Sequence, residues 1–529
     1  MEINKTKFIW QEYLELAFKI SYILLAFATY VTVLYMSPAQ SIFVKLTMAL
    51  GALVILLRVI RWKDYKNTPG LILMVLMCLS LLLSTFMNRQ YGMTDNLKWL
   101  IWMGIQFFGL YAIPLKREKS HVIFEYKIIS CLVLVASVIG AIASLKMLPD
   151  SYSEFLTTAD GETIITGFTW DRLWGVYTDP NYGAIISVIG IFIALGWIFI
   201  SRRIFVRILC GLAVAADYGY MTFADSRTAY VALTVGLVFF FISFFYKKAK
   251  EQARDSKGKK QTLKNMSLIM ILVLFVGVCY LGSYTWKENN IQFQEQIAKE
   301  QEEAEKEALA KEQAEAKKAA EKASQGTSQN STGTSTKNTT GSTTGNTNKN
   351  TSSSSSQKKE TTEEKVVTER EKQLEDDASN GRISLWKSAV EVWQTSPIYG
   401  TGYSTFADYA QENTPTTYAV DNAQGVYTSL HNEFFNVLAY QGGLGAILFV
   451  LMLLRLVVYV LRGVFAGKEI KEFDPIPMIC CVGSVVVGML FLLDGLYTNS
   501  VSAAVLWIFG GYLVNLSGHR IEEKDQKQA

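Results

Sequence analysis

"SLHNEFFNVLAYQGGLGA", residues 429–446, passes from a hydrophilic stretch into a strongly apolar one and carries His431, one of three histidines among 529 residues. How that boundary is read decides the fold. Beyond it the chain stays apolar for the roughly 20 residues needed to cross a ~30 Å hydrocarbon core. Comparable runs recur at about 17–36, 41–60, 70–87, 97–113, 122–145, 181–200, 204–224, 227–246, 266–286, 433–461, 476–496 and 498–516. Half of the residues are hydrophobic and only 19% are charged, and the apolar residues are gathered into these runs rather than spread through soluble domains. The expectation is an all-α polytopic membrane protein of about twelve transmembrane helices. Residues 429–432 mark a water line, and the first run, which lacks a convincing cleavage site, reads as a retained helix.

The placement of charge orients the chain. Arg58, Arg61, Lys63 and Lys66 lie between the second and third runs; Lys116, Arg117 and Lys119, then Arg202, Arg203 and Arg207, lie in later even-to-odd connections. Residues 247–264 hold a further lysine-rich cluster. Under the positive-inside rule both termini are cytoplasmic and 287–432 is a large extracytoplasmic loop of a cytoplasmic-membrane protein. Residues 1–286 then hold helices one to nine, 433–516 hold helices ten to twelve, and 517–529 form a cytoplasmic tail. Within the loop, 292–322 is rich in Ala, Glu, Lys and Gln and reads as a solvated helix. The Ser/Thr/Asn/Gly tract at 324–356 buries too little surface to offset its ordering entropy and reads as a disordered linker. Order returns over 379–406, where Trp386, Ala389, Val390 and Trp393 share one helical face closed by Pro397.

All six cysteines fall inside apolar runs and the three histidines are dispersed. That pattern points to neither a disulfide framework nor a metal-ligand cluster, so no cofactor is expected.

Four stretches fall on the expected outer face: "DRLWGVYTDPNYGA" (171–184), "ADSRTAY" (224–230), "GRISLWKSAVEVWQTSPIYGTGYSTF" (381–406) and the stretch quoted first. In this order they resemble the O-antigen ligase/polymerase superfamily, membrane glycosyltransferases of GT-C-like architecture. The resemblance implies transfer of a glycan from undecaprenyl diphosphate to an acceptor hydroxyl on the outer face of the membrane. It also implies a catalytic His431, with Arg227, Arg382 and Arg172 holding the diphosphate. The long insertion at 292–378 departs from the family's usual loop and leaves the acceptor open: a glycan, a lipid or, as in protein O-oligosaccharyltransferases, a Ser/Thr hydroxyl.

The residues suit that chemistry. Arginine bonds phosphate oxygens bidentately and stays protonated. Arg227 and Arg382 each stand where a helix begins, so free backbone N–H groups add to the anion site. A neutral imidazole takes a hydroxyl proton near pH 7. Each residue also has a plainer reading: interfacial anchoring for Arg227 and Arg172, a surface helix position for Arg382, a helix-capping or interfacial role for His431. Asp179 and Pro180 fit an N-cap and first turn, and Asn181 follows them. Asp225, Asn432 and Glu433 flank the motifs as supporting candidates, and Asp494 is an ionisable group within an apolar run, a placement that usually signals a partner or a role. A transporter or flippase is the rival class. It calls for internal repeats and mid-membrane ionisable residues, whereas no repeat is seen and the polar motifs gather on one face. A sensor or display protein gives the ordered motifs no use. Nothing points to nucleic acid.

Overall fold

The computed structural model describes residues 9–148, 153–158, 163–169, 172–252, 381–422, 425–466 and 473–528, with isolated positions between 285 and 306. Two compact units are present, Met1–Lys287 with Gln373–Ala529, and Glu288–Lys372. The helices, the sheet and the candidate site all belong to the first.

Among the described residues, eight helices are long and apolar enough to cross a membrane. They are α1 (Trp10–Tyr30), α2 (Ala39–Ile60), α5 (Lys119–Leu145), α6 (Pro180–Ile200), α7 (Ile204–Ala224), α8 (Arg227–Gln252), α11 (Glu433–Ala466) and α13 (Val501–Gln528). Two shorter apolar helices, α3 (Leu71–Met87) and α12 (Ile476–Met489), match two further expected runs. The run at 97–113 is α4 (Thr94–Gly104) continuing as a π-helix over Ile105–Tyr111. The expected span at 266–286 lies almost wholly outside the described residues, as does the tract at 324–356. The protein is thus a mostly helical, polytopic membrane protein. Two small helices, α9 (Arg382–Thr395) and α10 (Phe406–Asn413), precede α11.

The all-α expectation needs a correction. Between α5 and α6 the chain forms a three-stranded antiparallel sheet: β1 (Ser153–Thr157), β2 (Thr163–Thr169) and β3 (Arg172–Gly175). β2, "TIITGFT", is rich in the β-branched residues that favour a pleated, half-buried surface. β3 pairs with it in register Thr169↔Arg172, and a bulge at Gly167/Phe168 interrupts the ladder. Beyond β3, Val31 bridges Tyr177; Thr32 N donates to the Val176 carbonyl at 2.9 Å and Thr178 N to that of Tyr30 at 3.0 Å. These bonds fix the chain just ahead of Asp179.

Three helix boundaries also differ from the hydropathy reading. α1 begins near residue 10 rather than 17 because its charged first turns are buried in ion pairs, not left at a surface. Lys19 Nζ lies 2.6 Å from Glu125, Arg117 lies 2.6 Å from Glu15 and 3.0 Å from Glu125, and Arg58 lies 2.8 Å from Glu15. Arg58 and Arg117, expected in loops, are therefore buried, and each is paired with buried carboxylates, as a low-dielectric interior requires. α12 ends at Met489, seven residues early. The Gly488 carbonyl there accepts from Phe491, Leu492 and Leu493, and the chain turns into a non-helical 490–500 segment.

The third difference shapes the site. α11 breaks at Gly442, whose φ of 67° and ψ of −169° are non-helical. A break frees backbone groups that must find other partners, and the turn 397–402 supplies them. Gly443 N donates to the Pro397 carbonyl at 2.8 Å, Thr401 N to that of Ala439 at 3.0 Å, and Gly402 N to that of Tyr440 at 2.9 Å. The approach is so close that a Cβ on Gly442 overlaps the Ile398 carbonyl, and one on Gly400 overlaps the Ala439–Tyr440 backbone. Gly442 thus admits the close backbone approach by breaking the helix. The loop carrying α9 is thereby fastened to the helix that follows His431.

Candidate functional site

α1, α6, α8, α11 and α13 each have one terminus at the same end of the bundle. His431 lies there, half-buried, one residue before the Asn432 cap of α11. Its φ of 51° is left-handed, uncommon for a residue with a Cβ. The turn is held from both sides. His431 N donates to Ser429 Oγ at 3.3 Å, and Asn432 Oδ1 accepts from Phe434 N at 2.9 Å. The imidazole meets the Tyr427 ring edge-on, with centroids 5.9 Å apart.

Two sequence candidates come to the imidazole. Burial first, then the nearby Arg382 charge, hold its pKa below the usual histidine range, partly opposed by the Asp179 carboxylate. His431 is thus biased toward neutral, the form that accepts a proton. Arg382 is half-buried at the first position of α9, after Gly381 at φ 77°. Asp179 caps α6 as expected, accepting from Asn181 N at 2.6 Å and Tyr182 N at 3.3 Å.

A second group adjoins it through α6. Arg172 on β3 donates Nε to the Ala224 carbonyl and Nη2 to Asn181 Oδ1, both at 2.9 Å. It thereby clamps the end of α7 to the start of α6. Asp225 takes the left-handed C-cap of α7 at φ 50°. Arg227 opens α8 with an exposed side chain, three residues beyond the carbonyl that holds Arg172. Ser226 caps that helix through Ala229 N at 3.4 Å. Arg227 therefore follows closely in the chain on the segment that Arg172 clamps.

Glu433 and Asp494 lie behind the His431 turn. Glu433 is buried and accepts from Leu496 N at 2.7 Å, while Asp494 Oδ1 accepts from Asn436 Nδ2 at 2.6 Å and Ser429 Oγ at 3.3 Å. Asn432 Nδ2 reaches across to the Leu490 carbonyl at 2.7 Å. These groups tie the start of α11 to the 490–500 segment and support the turn that presents His431. Sequence reasoning missed Ser429 and Asn436, which join that turn to Asp494. The signal was present, since Asn432, Glu433 and Asn436 place three polar groups in the first turn of an apolar span. It also missed the stacked pair Tyr30 and Tyr182, 4.6 Å apart beside Asp179.

Residues 218–450 match the family model described as O-antigen ligase. The match contains Arg227, Arg382 and His431, while Arg172 lies ahead of it. A comparison with curated proteins finds no match. The resemblance carried by the motifs therefore stands, and the chain carries a segment of the O-antigen ligase superfamily.

Proposed function

We propose that this O-antigen ligase-type chain is a glycosyltransferase that moves a glycan from undecaprenyl diphosphate onto an acceptor hydroxyl at the outer face of the cytoplasmic membrane. The observation that carries the reading is the His431 turn: a base-poised imidazole between Arg382 and the capped start of α6, with the Arg172 clamp alongside. His431 takes the proton of the acceptor hydroxyl as its oxygen attacks the anomeric carbon. The bond from that carbon to the diphosphate oxygen breaks, its electron pair leaves with the lipid diphosphate, and configuration inverts. Arg382, Arg227 and Arg172 stabilise the leaving charge, aided by N–H groups at the starts of α6, α8 and α9. The imidazolium then returns its proton to solvent. Glu433, Asp494 and Asn432 act through the turn that holds His431.

The test is purified protein in nanodiscs with a defined undecaprenyl-diphosphate oligosaccharide, following release of lipid diphosphate and growth or attachment of the glycan. Transfer by the wild type with loss in His431 and Arg382 variants is expected. Movement of the intact lipid-linked glycan between leaflets without bond cleavage would assign the chain to transport instead.

A further inference from the structure

A cavity of about 480 Å³ opens between α4 and the 403–407 turn. Its walls include Trp99 and Tyr403, whose rings meet edge to face at 5.2 Å and 81°. Asp95, Lys98, Ser404 and Thr428 supply its polar lining. None of these residues belongs to the histidine or arginine groups. Lys98 is already paired with Asp95 at 2.7 Å, so the cavity offers no unbalanced positive charge and is poorly suited to a diphosphate. Two aromatic rings in edge-to-face contact, bordered by hydroxyl, carboxylate and ammonium groups, match a ligand with apolar C–H faces and many hydroxyls: a saccharide.

The cavity is preorganised and tied to the His431 turn. Tyr403 stacks on Tyr497 at 4.9 Å and 13°, and packs against Tyr440 at 5.4 Å. Tyr440 donates its hydroxyl to the Thr428 carbonyl at 2.7 Å. Asn96 of α4 fastens the opposite wall, donating to Thr405 Oγ1 at 3.0 Å and accepting from Ser404 N at 2.8 Å. Thr428 precedes His431 by three residues, a chain reach of at most about 11 Å. We infer that this cavity binds the acceptor, that the acceptor is a saccharide, and that it enters from the α4 side while the lipid diphosphate lies on the arginine side.

This rests on His431 being the base of a glycan transfer, so the experiment has two arms. The first measures donor and acceptor KM in nanodiscs for wild type, Trp99→Ala, Tyr403→Ala and Trp99→Phe, using oligosaccharide released from the lipid-linked donor as acceptor. The alanine variants are expected to raise acceptor KM by about tenfold with donor KM unmoved, and Trp99→Phe to recover most of the loss. The second measures binding of the same oligosaccharide by saturation-transfer NMR, expected in the wild type and in His431→Gly but not in Trp99→Ala. Transfer with unchanged acceptor KM in both alanine variants, or a rise in donor KM instead, overturns the cavity assignment alone. Binding lost only in Trp99→Ala, with no transfer by the wild type, sustains the cavity as a saccharide site but removes the proposed function and, with it, the acceptor role.

Discussion

Replacing His431 with glycine separates chemistry from folding in a way alanine cannot. The residue sits at φ 51°, where a Cβ costs roughly 1–2 kcal/mol. Glycine removes that strain but widens the unfolded ensemble by about 0.4–1 kcal/mol. It also forfeits the edge contact with Tyr427, worth about 0.5–1.5 kcal/mol. These contributions nearly cancel, so His431→Gly should unfold within about 1 kcal/mol of the wild type. His431→Ala keeps the strain and loses the same contact, and should be the less stable variant by on the order of 1 kcal/mol. Both lack the imidazole and should lose about 10²- to 10⁴-fold in transfer rate, the usual contribution of a general base. Thermal unfolding in detergent and initial transfer rates in nanodiscs give the two readouts. A glycine variant that transfers at nearly the wild-type rate would refute the base assignment. So would rates that simply follow the unfolding midpoints, because a purely structural histidine gives that pattern.

Three further substitutions probe the scaffold. Arg172→Lys keeps the charge, but an ammonium cannot span the Ala224 carbonyl and Asn181 Oδ1 as the guanidinium fork does; donor titration should show a raised KM, and wild-type behaviour would show the clamp to be dispensable. Gly442→Ala drives a Cβ into the Ile398 carbonyl at positive φ and should destabilise by more than about 1 kcal/mol, lowering the unfolding midpoint and transfer together; a normal midpoint would mean the 397–402 turn yields freely. Arg117→Ala leaves Glu12, Glu15 and Glu125 without their shared cation, an expected loss of about 3–5 kcal/mol, and an unchanged midpoint would show that the network contributes little.

The helical architecture was legible because membrane spans declare themselves by length and apolarity, as α5 and α6 do. Hydropathy misplaced the start of α1 because it treats Glu12 and Glu15 as surface-seeking, whereas Arg58 on α2 and Arg117 bring them inside. The sheet was missed because its three strands are only five, seven and four residues long, inside what read as a loop. At the site, the motifs pointed to His431, Arg382 and Asp179, and the structure brings these together. What sequence could not supply was orientation. The sequence offers Asn181 and Glu433 only as supporting candidates; the structure gives each its partner, Arg172 for Asn181 and Leu496 N for Glu433. Both depend on contacts between residues distant in the chain or on different elements, which no local pattern encodes.

The pH dependence of kcat/KM tests the central claim most directly. His431 works as a base only when neutral, so kcat/KM is flat above its pKa and falls as the pH drops through it. Burial and Arg382 hold that pKa down, and Asp179 opposes them. Arg382→Gln should therefore move the acid limb to higher pH. Asp179→Asn, which retains a good N-cap, should move it to lower pH. Opposite displacements in the two variants are the predicted result; an acid limb that stays fixed, or moves the same way in both, contradicts a catalytic His431 set between these two charges.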